Sequence, residues 1–99
     1  MNEIHSVERL EMGITHSDYR RILPRLLDDA SEQHIDLKTR VRWADGRRLD
    51  ILVSPEKVRK IALLRMPYVN INFEFQGFTH SEMEAFMVRF DRSFHKGGG

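Results

Sequence analysis

With 99 residues, 40% of them hydrophobic and 31% charged, the chain has the length and composition of one globular domain. It contains no cysteine, which excludes a disulfide framework, a thiolate metal site and a cysteine nucleophile. The formal net charge of +1 indicates no particular partner, but the positive charge is concentrated in the middle third of the chain, over residues 34–65.

The first twelve residues place a few apolar side chains among polar ones, a spacing that fits either a short helix or an extended arm. We predict an N-terminal arm over residues 1–12, a single domain over residues 13–96 and a flexible glycine tail over residues 97–99. The N-terminus lacks the basic start and apolar stretch of a signal peptide, and no apolar run approaches the length of a membrane span. The expected location is the cytoplasm, without membrane contact.

The first predicted helix begins near residue 15. Thr15 is a favourable N-cap because its hydroxyl can accept a hydrogen bond from a free backbone N–H, and Asp18 completes an acidic variant of the capping box. Apolar residues then recur at helical spacing as far as Ala30. Pro24 lacks an N–H and its ring crowds the preceding turn, so we expect the helix to bend there.

A β-hairpin is predicted next. Apolar and polar residues alternate over residues 35–43, which is the period of a strand with one buried face. The dipeptide Asp45-Gly46 predicts a turn, and the alternation resumes over residues 49–53.

The second half of the chain predicts a short helix, a third strand and a last helix. Ser54 as cap and Pro55 at the first helical position start the short helix. Alternation over residues 69–75 predicts the third strand. Thr79 and Glu82 form a capping box that starts the last helix, whose bulky apolar stripe is expected in the core.

This order of elements predicts an α+β domain. Each strand has one apolar face, and three strands leave one face uncovered when two helices share a side. We expect an α-β-β-(short α)-β-α chain with a three-stranded antiparallel sheet and two main helices packed on one face. The other face is then open to solvent or to a partner.

The open sheet face and the hairpin tip form the main candidate binding surface. Strand alternation places basic, amide and aromatic side chains there, with one leucine: Lys38, Arg40, Arg42, Arg47, Arg48, Leu52, Tyr68, Asn70 and Asn72. Basic groups can neutralise phosphates and an aromatic ring can stack on a base. A polar face is also the ordinary composition of a solvated surface, and Leu52 suits a protein partner equally well.

A repeated segment gives a second candidate. Residues 13–18 and 77–82 share Gly, Thr, His and Ser at matching positions. Two helix N-termini with hydroxyl and imidazole groups could form an anion site, made by Thr15, His16, Thr79 and His80. Favourable capping explains the same residues without a shared site.

Two functions remain open. The first is a small protein-interaction or regulatory module, either monomeric or homodimeric, whose partner is another protein or a second copy. The alternative is a nucleic-acid-binding domain that uses the basic hairpin. No catalytic, cofactor-binding or metal-ligating motif is present, so an enzymatic activity has no support in the sequence.

The order helix, three strands, helix resembles the double-stranded-RNA-binding domain. That family carries a lysine cluster at the start of its last helix, where this chain has Thr79-His80-Ser81-Glu82. The resemblance therefore implies RNA contacts only at the hairpin tip.

Overall fold

The computed structural model describes residues 3–95 and shows a six-stranded antiparallel open sheet with two helices. In chain order the elements are β1 (Ile4–Met12), α1 (His16–Ile22), a 3-10 turn (Leu23–Leu26), β2 (Ser31–Ile35), β3 (Lys38–Arg42), β4 (Arg48–Val53), β5 (Lys57–Ile61), β6 (Leu64–Gln76) and α2 (His80–His95). The sheet order is β1-β6-β4-β3-β2, and β5 pairs with the first part of β6. The α+β class is confirmed, the predicted three-stranded sheet is wrong, and the predicted glycine tail lies outside the described residues.

The predicted first strand over residues 35–43 is in fact parts of two strands. β2 ends at Ile35, the chain turns at Asp36 and Leu37, and β3 begins at Lys38. Asp36 has a φ of 53°, a left-handed conformation usually taken by glycine in such turns. Because the alternation of apolar residues continues through this turn, the sequence pattern does not reveal it.

The predicted short helix after Ser54 is wrong. Residues 57–61 form β5, which turns back at Ala62 and Leu63 into β6. Ala62 has a φ of 55°, so this turn also uses a residue other than glycine. Pro67 is tolerated in β6 because this part of the strand pairs with β5 on one side and β1 pairs only from Val69 onward.

The N-terminal segment forms β1, an edge strand paired with β6 along its length. The register shifts after Arg9, and Glu11, with a φ of 54°, lies in this bulge and donates its backbone N–H to Asn70 Oδ1 at 2.8 Å. The bulge brings Met12 against the core while Leu10 stays on the opposite face of the sheet.

One face of the sheet carries both helices and the core. Alternate residues of the three central strands are buried there: Val41, Leu49, Ile51, Val53, Val69, Ile71, Phe73 and Phe75. From α2, the Phe90 ring packs edge-on against Phe73 at 4.7 Å between centroids. From α1, Tyr19 stacks on Phe94 at 6.4 Å. The aromatic stripe of the last helix is therefore core, as its spacing predicts.

The helix starts agree with the sequence, but the first helix is shorter than predicted. Thr15 Oγ1 accepts the Asp18 N–H at 3.0 Å, and Thr79 Oγ1 accepts the Glu82 N–H at 3.1 Å, so both capping boxes are present. The expected bend at Pro24 is replaced by a change of helix type, because α1 ends at Ile22 and Pro24 lies in the 3-10 turn.

Candidate binding surfaces

The second face of the sheet carries no helix within residues 3–95, and its residues fall into three zones. Strand pairing aligns them in rows across the sheet: Lys38 with Leu52 and Asn72, Arg40 with Asp50 and Glu74, and Arg42 with Arg48 and Gln76. The first row lies at the β4 end that leads into β5, and the last row lies beside the β3–β4 turn. A mixed row that contains Leu52, an ion-paired row and a basic row therefore follow one another along the strands.

The middle row is neutralised within the chain. Asp50 is only 7% exposed, its Oδ1 accepts a hydrogen bond from Arg40 Nε at 3.1 Å, and its Oδ2 lies 3.8 Å from Lys38 Nζ. A buried carboxylate needs such partners, because an unpaired charge there would be costly. Lys38 and Arg40 are therefore engaged in holding Asp50, and they add little positive charge to the surface.

The basic row lines a pocket of about 260 Å³, which we call the arginine pocket. Its walls come from β3, the β3–β4 turn, β4 and the end of β6: Arg42, Trp43, Gly46, Arg47, Arg48 and Gln76. No acidic side chain is among these lining residues. The structure thus brings together three of the predicted basic residues, Arg42, Arg47 and Arg48, and separates them from Lys38 and Arg40.

Arg47 is the fixed wall of the arginine pocket. Its guanidinium lies 5.0 Å from the ring centroid of Trp43 and 5.2 Å from that of Phe78. Its Nε donates to Asp45 Oδ2 at 2.9 Å. The Arg47 backbone N–H donates to the same carboxylate, and this bond, with the guanidinium, lowers the pKa of Asp45. These contacts leave Arg42 and Arg48 as the pocket's available cations.

At the other end of the sheet, residues 57–68 form a two-stranded projection that we call the arm. Every residue from 57 to 67 is exposed, and the side chain at the tip, Leu63, is 99% exposed. The arm carries four basic residues and no acidic one. Tyr68 belongs to the base of the arm, where the Arg59 guanidinium lies 5.5 Å from its ring centroid, so it is away from the basic row.

A groove of about 290 Å³, which we call the leucine groove, lies on the open face at the base of the arm. Leu10 and Leu52, both exposed, line it together with Glu8, Asn70 and Asn72. The structure therefore brings Leu52, Asn70 and Asn72 together as predicted members of one surface. Leu10 was not predicted, because its position on this face depends on the strand β1.

The two helix N-termini lie at opposite ends of the sheet. His16 Nε2 lies 2.8 Å from the Ser54 carbonyl oxygen, just beyond β4, whereas Glu82 in the first turn of α2 lies 3.9 Å from Arg47 at the β3–β4 turn. The His16 backbone N–H already donates to Glu56 Oε1 at 2.6 Å. Thr15, His16, Thr79 and His80 therefore do not converge on one ligand.

A chain of hydrogen bonds connects the core to β2. Tyr19 Oη lies 2.8 Å from Thr39 Oγ1, which lies 3.1 Å from His34 Nδ1, and His34 Nε2 lies 2.8 Å from Glu32 Oε2. Every group is satisfied when Tyr19 donates to Thr39, Thr39 donates to His34 Nδ1, and the His34 Nε2–H donates to Glu32. The Thr39 hydroxyl is buried, and the adjoining cavity is only about 20 Å³, the space of a water molecule. This network therefore supports the fold and admits no substrate.

Within the described part of the chain, no three His, Asp or Glu side chains are grouped to hold a metal ion. No described helix is long and apolar enough to cross a membrane. Comparison of the chain with protein-family models, curated proteins and solved structures finds no match in any of the three. Function must therefore be inferred from the arm, the leucine groove and the arginine pocket.

Proposed function

We propose that the protein is a protein-interaction module that forms a homodimer, in which the arm of each protomer packs into the leucine groove of its partner. The observation that carries this proposal is the arm itself, a two-stranded hairpin that is exposed from residue 57 to residue 67 and has an apolar tip. An isolated two-stranded hairpin is only marginally stable in water. A partner surface that covers the arm supplies the missing stabilisation.

The apolar side chains of the arm favour a partner that is itself apolar. Ile61 and Leu64 face each other across the turn next to Leu63, and all three are exposed. Burying apolar surface contributes about 25 cal/mol for each Å² removed from water. The leucine groove offers the matching surface, because Leu10 is 66% exposed and lies close to the half-exposed Leu52.

Charge favours a second copy as the partner. The arm is basic, whereas β1, at the edge of the leucine groove, carries Glu8 and Glu11. Arg59 of the arm already forms an ion pair with Glu11 of the same chain. Glu8, which lines the groove, can then face Lys60 or Arg65 of another arm, and opposite charges across an interface favour the correct partner.

Position also favours a second copy. The leucine groove lies at the base of the arm, so a two-fold axis near that base lets each arm reach the groove of the other protomer. Such an isologous interface buries both arms with one set of contacts, which is the commonest arrangement of homodimers.

The test is the mass in solution of the parent chain and of two charge-introducing variants, measured by sedimentation equilibrium. Leu52→Glu places a carboxylate in the groove and Leu64→Glu places one on the arm, so each is expected to give a monomer. Val88→Glu, a similar change at an exposed position of α2, is the matched control and should remain dimeric. A monomeric parent, or variants with unchanged mass, contradicts the proposal.

Mixing the two variants tests whether each arm docks into the groove of the other protomer. A Leu52→Glu protomer has an intact arm and a Leu64→Glu protomer has an intact groove, so their heterodimer keeps one of the two contacts. We expect the mixture to associate more strongly than either variant alone. Equal behaviour of the mixture and the separate variants would exclude reciprocal docking of arm and groove.

A further inference from the structure

We propose that the arginine pocket binds a phosphate group, at the end of the sheet away from the arm. This site is separate from the proposed dimer contact and does not depend on it. Three features of the pocket carry the inference: two like charges placed face to face, a buried amide oxygen without a partner, and a wall held rigid by stacking.

The first feature is the pairing of Arg42 with Arg48. The two residues are directly opposite each other in the β3–β4 ladder and share one face of the sheet. Side chains in such a pair start about 5 Å apart, and like charges there destabilise a sheet. Within residues 3–95, neither Arg42 nor Arg48 forms an ion pair with a carboxylate. Arg40 in the next row, in contrast, forms an ion pair with Asp50. An anion bound between them removes this repulsion.

The second feature is Gln76, which pairs with Arg48 on the neighbouring strand. Its Oε1 atom is buried and has no hydrogen-bond partner among the described residues. A buried acceptor without a donor costs about 1–3 kcal/mol, so a donor is expected to reach it in the working state. When a neighbouring guanidinium donates to Oε1, the amide NH₂ remains available, and the polar side chains of the pocket then present only donors to a ligand. A set of donors with two positive charges selects an anion.

The third feature is the fixed geometry of the far wall. The Arg47 guanidinium is stacked on the ring of Trp43 and on that of Phe78, which follows β6. Gly77 has a φ of 82°, a conformation that glycine adopts without strain, so the chain can turn there beside Arg47. A pocket whose walls are already ordered loses less entropy when it binds a ligand.

The size of the pocket fits a phosphate group and part of the molecule that carries it. Its volume of about 260 Å³ is many times the space that one water molecule needs. Planar guanidinium groups bind phosphate oxygens through paired hydrogen bonds, which makes arginine the usual residue at such sites. Free phosphate, a nucleotide and a nucleic-acid backbone share this group, so the test includes all three sources.

The test is an amide NMR titration of the full chain with inorganic phosphate, with adenosine monophosphate, and with short single-stranded and double-stranded oligonucleotides. Ionic strength is held constant with chloride. We expect shifts confined to residues 42–48 and 76–78, and the tightest-binding probe identifies the source of the phosphate. If none of the probes shifts these residues, the proposal is overturned.

Matched double variants provide the control for charge. Arg42→Gln with Arg48→Gln removes both available cations and is expected to weaken binding of the best probe at least ten-fold. Arg25→Gln with Arg92→Gln removes the same charge from exposed positions elsewhere and should leave binding within about two-fold of the parent. If both double variants weaken binding equally, only net charge matters, and the proposed phosphate site is overturned.

A third variant separates binding from folding. Gln76→Glu places a carboxylate beside Arg42 and Arg48, so it should raise the melting temperature while it abolishes the phosphate-dependent shifts. If this variant melts lower than the parent, or binds phosphate as the parent does, the two arginines do not form the anion site.

Discussion

Tyr19 is the residue whose chemistry the fold changes most. Its hydroxyl is enclosed in the core and bonds to Thr39 Oγ1 at 2.8 Å. Burial raises the pKa of Tyr19 far above its ordinary value, because the phenolate would lose its hydration; the Thr39 bond opposes this rise only in part. The folded chain therefore keeps Tyr19 neutral at a pH where the unfolded chain ionises it.

This difference predicts a specific alkaline instability. A raised pKa in the folded state means that stability is fully present below the ordinary tyrosine pKa of about 10 and falls as pH rises above it. The slope is about 1.4 kcal/mol per pH unit for one group. Tyr19→Phe should cost about 1 kcal/mol at neutral pH, since one buried hydrogen bond is lost, and should remove this slope.

The measurement is the free energy of unfolding of the parent, Tyr19→Phe and Tyr68→Phe by denaturant, from neutral pH to about pH 11. Tyr68 is half-buried at the base of the arm, so its replacement by Phe is the matched control. The parent and the control are expected to lose stability together above about pH 10, while Tyr19→Phe loses less. Parallel curves for all three proteins would show that Tyr19 does not carry the effect.

At the level of single elements, the β5–β6 turn contains a residue in an unfavourable conformation. Ala62 adopts a φ of 55°, which costs an L-residue with a side chain about 1–2 kcal/mol. Ala62→Gly removes this cost. The greater conformational freedom of glycine in the unfolded chain offsets part of the gain in stability. The net gain of about 1 kcal/mol should slow amide hydrogen exchange in the arm roughly five-fold.

Ala44→Gly is the control for this prediction. Ala44 is exposed in the β3–β4 turn and is not among the residues with positive φ. There the substitution adds conformational freedom to the unfolded chain without relieving strain in the folded one. Amide hydrogen exchange around the turn should therefore stay the same or become faster. Slower exchange in both variants, or in neither, would contradict the assignment of strain to Ala62.

These turns also explain how much of the fold the sequence predicts. The β3–β4 hairpin, both capping boxes and the aromatic core stripe follow directly from Asp45-Gly46, from the Thr caps and from helical spacing. β2 and β5 do not, because Ala62 is not a usual turn residue, and Asp36, which is one, is followed by Leu37 and not by glycine. Neither extra strand is therefore marked by a turn dipeptide such as Asp45-Gly46.

The sequence likewise predicts only part of the candidate surfaces. The register of β3, β4 and β6 aligns the side chains of the open face in rows. Alternation along these strands predicts which side chains share that face. It does not predict that Asp50 neutralises Lys38 and Arg40, nor that β1 adds Leu10. The sequence pattern does not predict the arm, because the apolar residues of β5 (Lys57–Ile61) have a spacing that a short helix also allows.

At the level of the whole molecule, the two proposed sites lie at opposite ends of an elongated protein. The described chain measures 50 × 24 × 22 Å, and β4 leads from the arginine pocket at one end to the base of the arm at the other. The core lies beneath the sheet between them, and no residue of the arm belongs to it. The arm can therefore be removed without opening the core.

Removal of the arm gives the last prediction. Lys57 and Tyr68 are opposite each other in the ladder, so Asn-Gly in place of residues 58–67 closes a two-residue hairpin and retains Glu56, which bonds to α1. If the arm mediates dimerisation, the melting temperature of the parent rises with protein concentration, because association stabilises the folded state by mass action. The shortened chain should fold, melt at a temperature independent of concentration, and give the same phosphate titration as the parent. If the melting temperature of the parent is also independent of protein concentration, the arm takes no part in self-association. If the shortened chain does not fold, the arm supports the core.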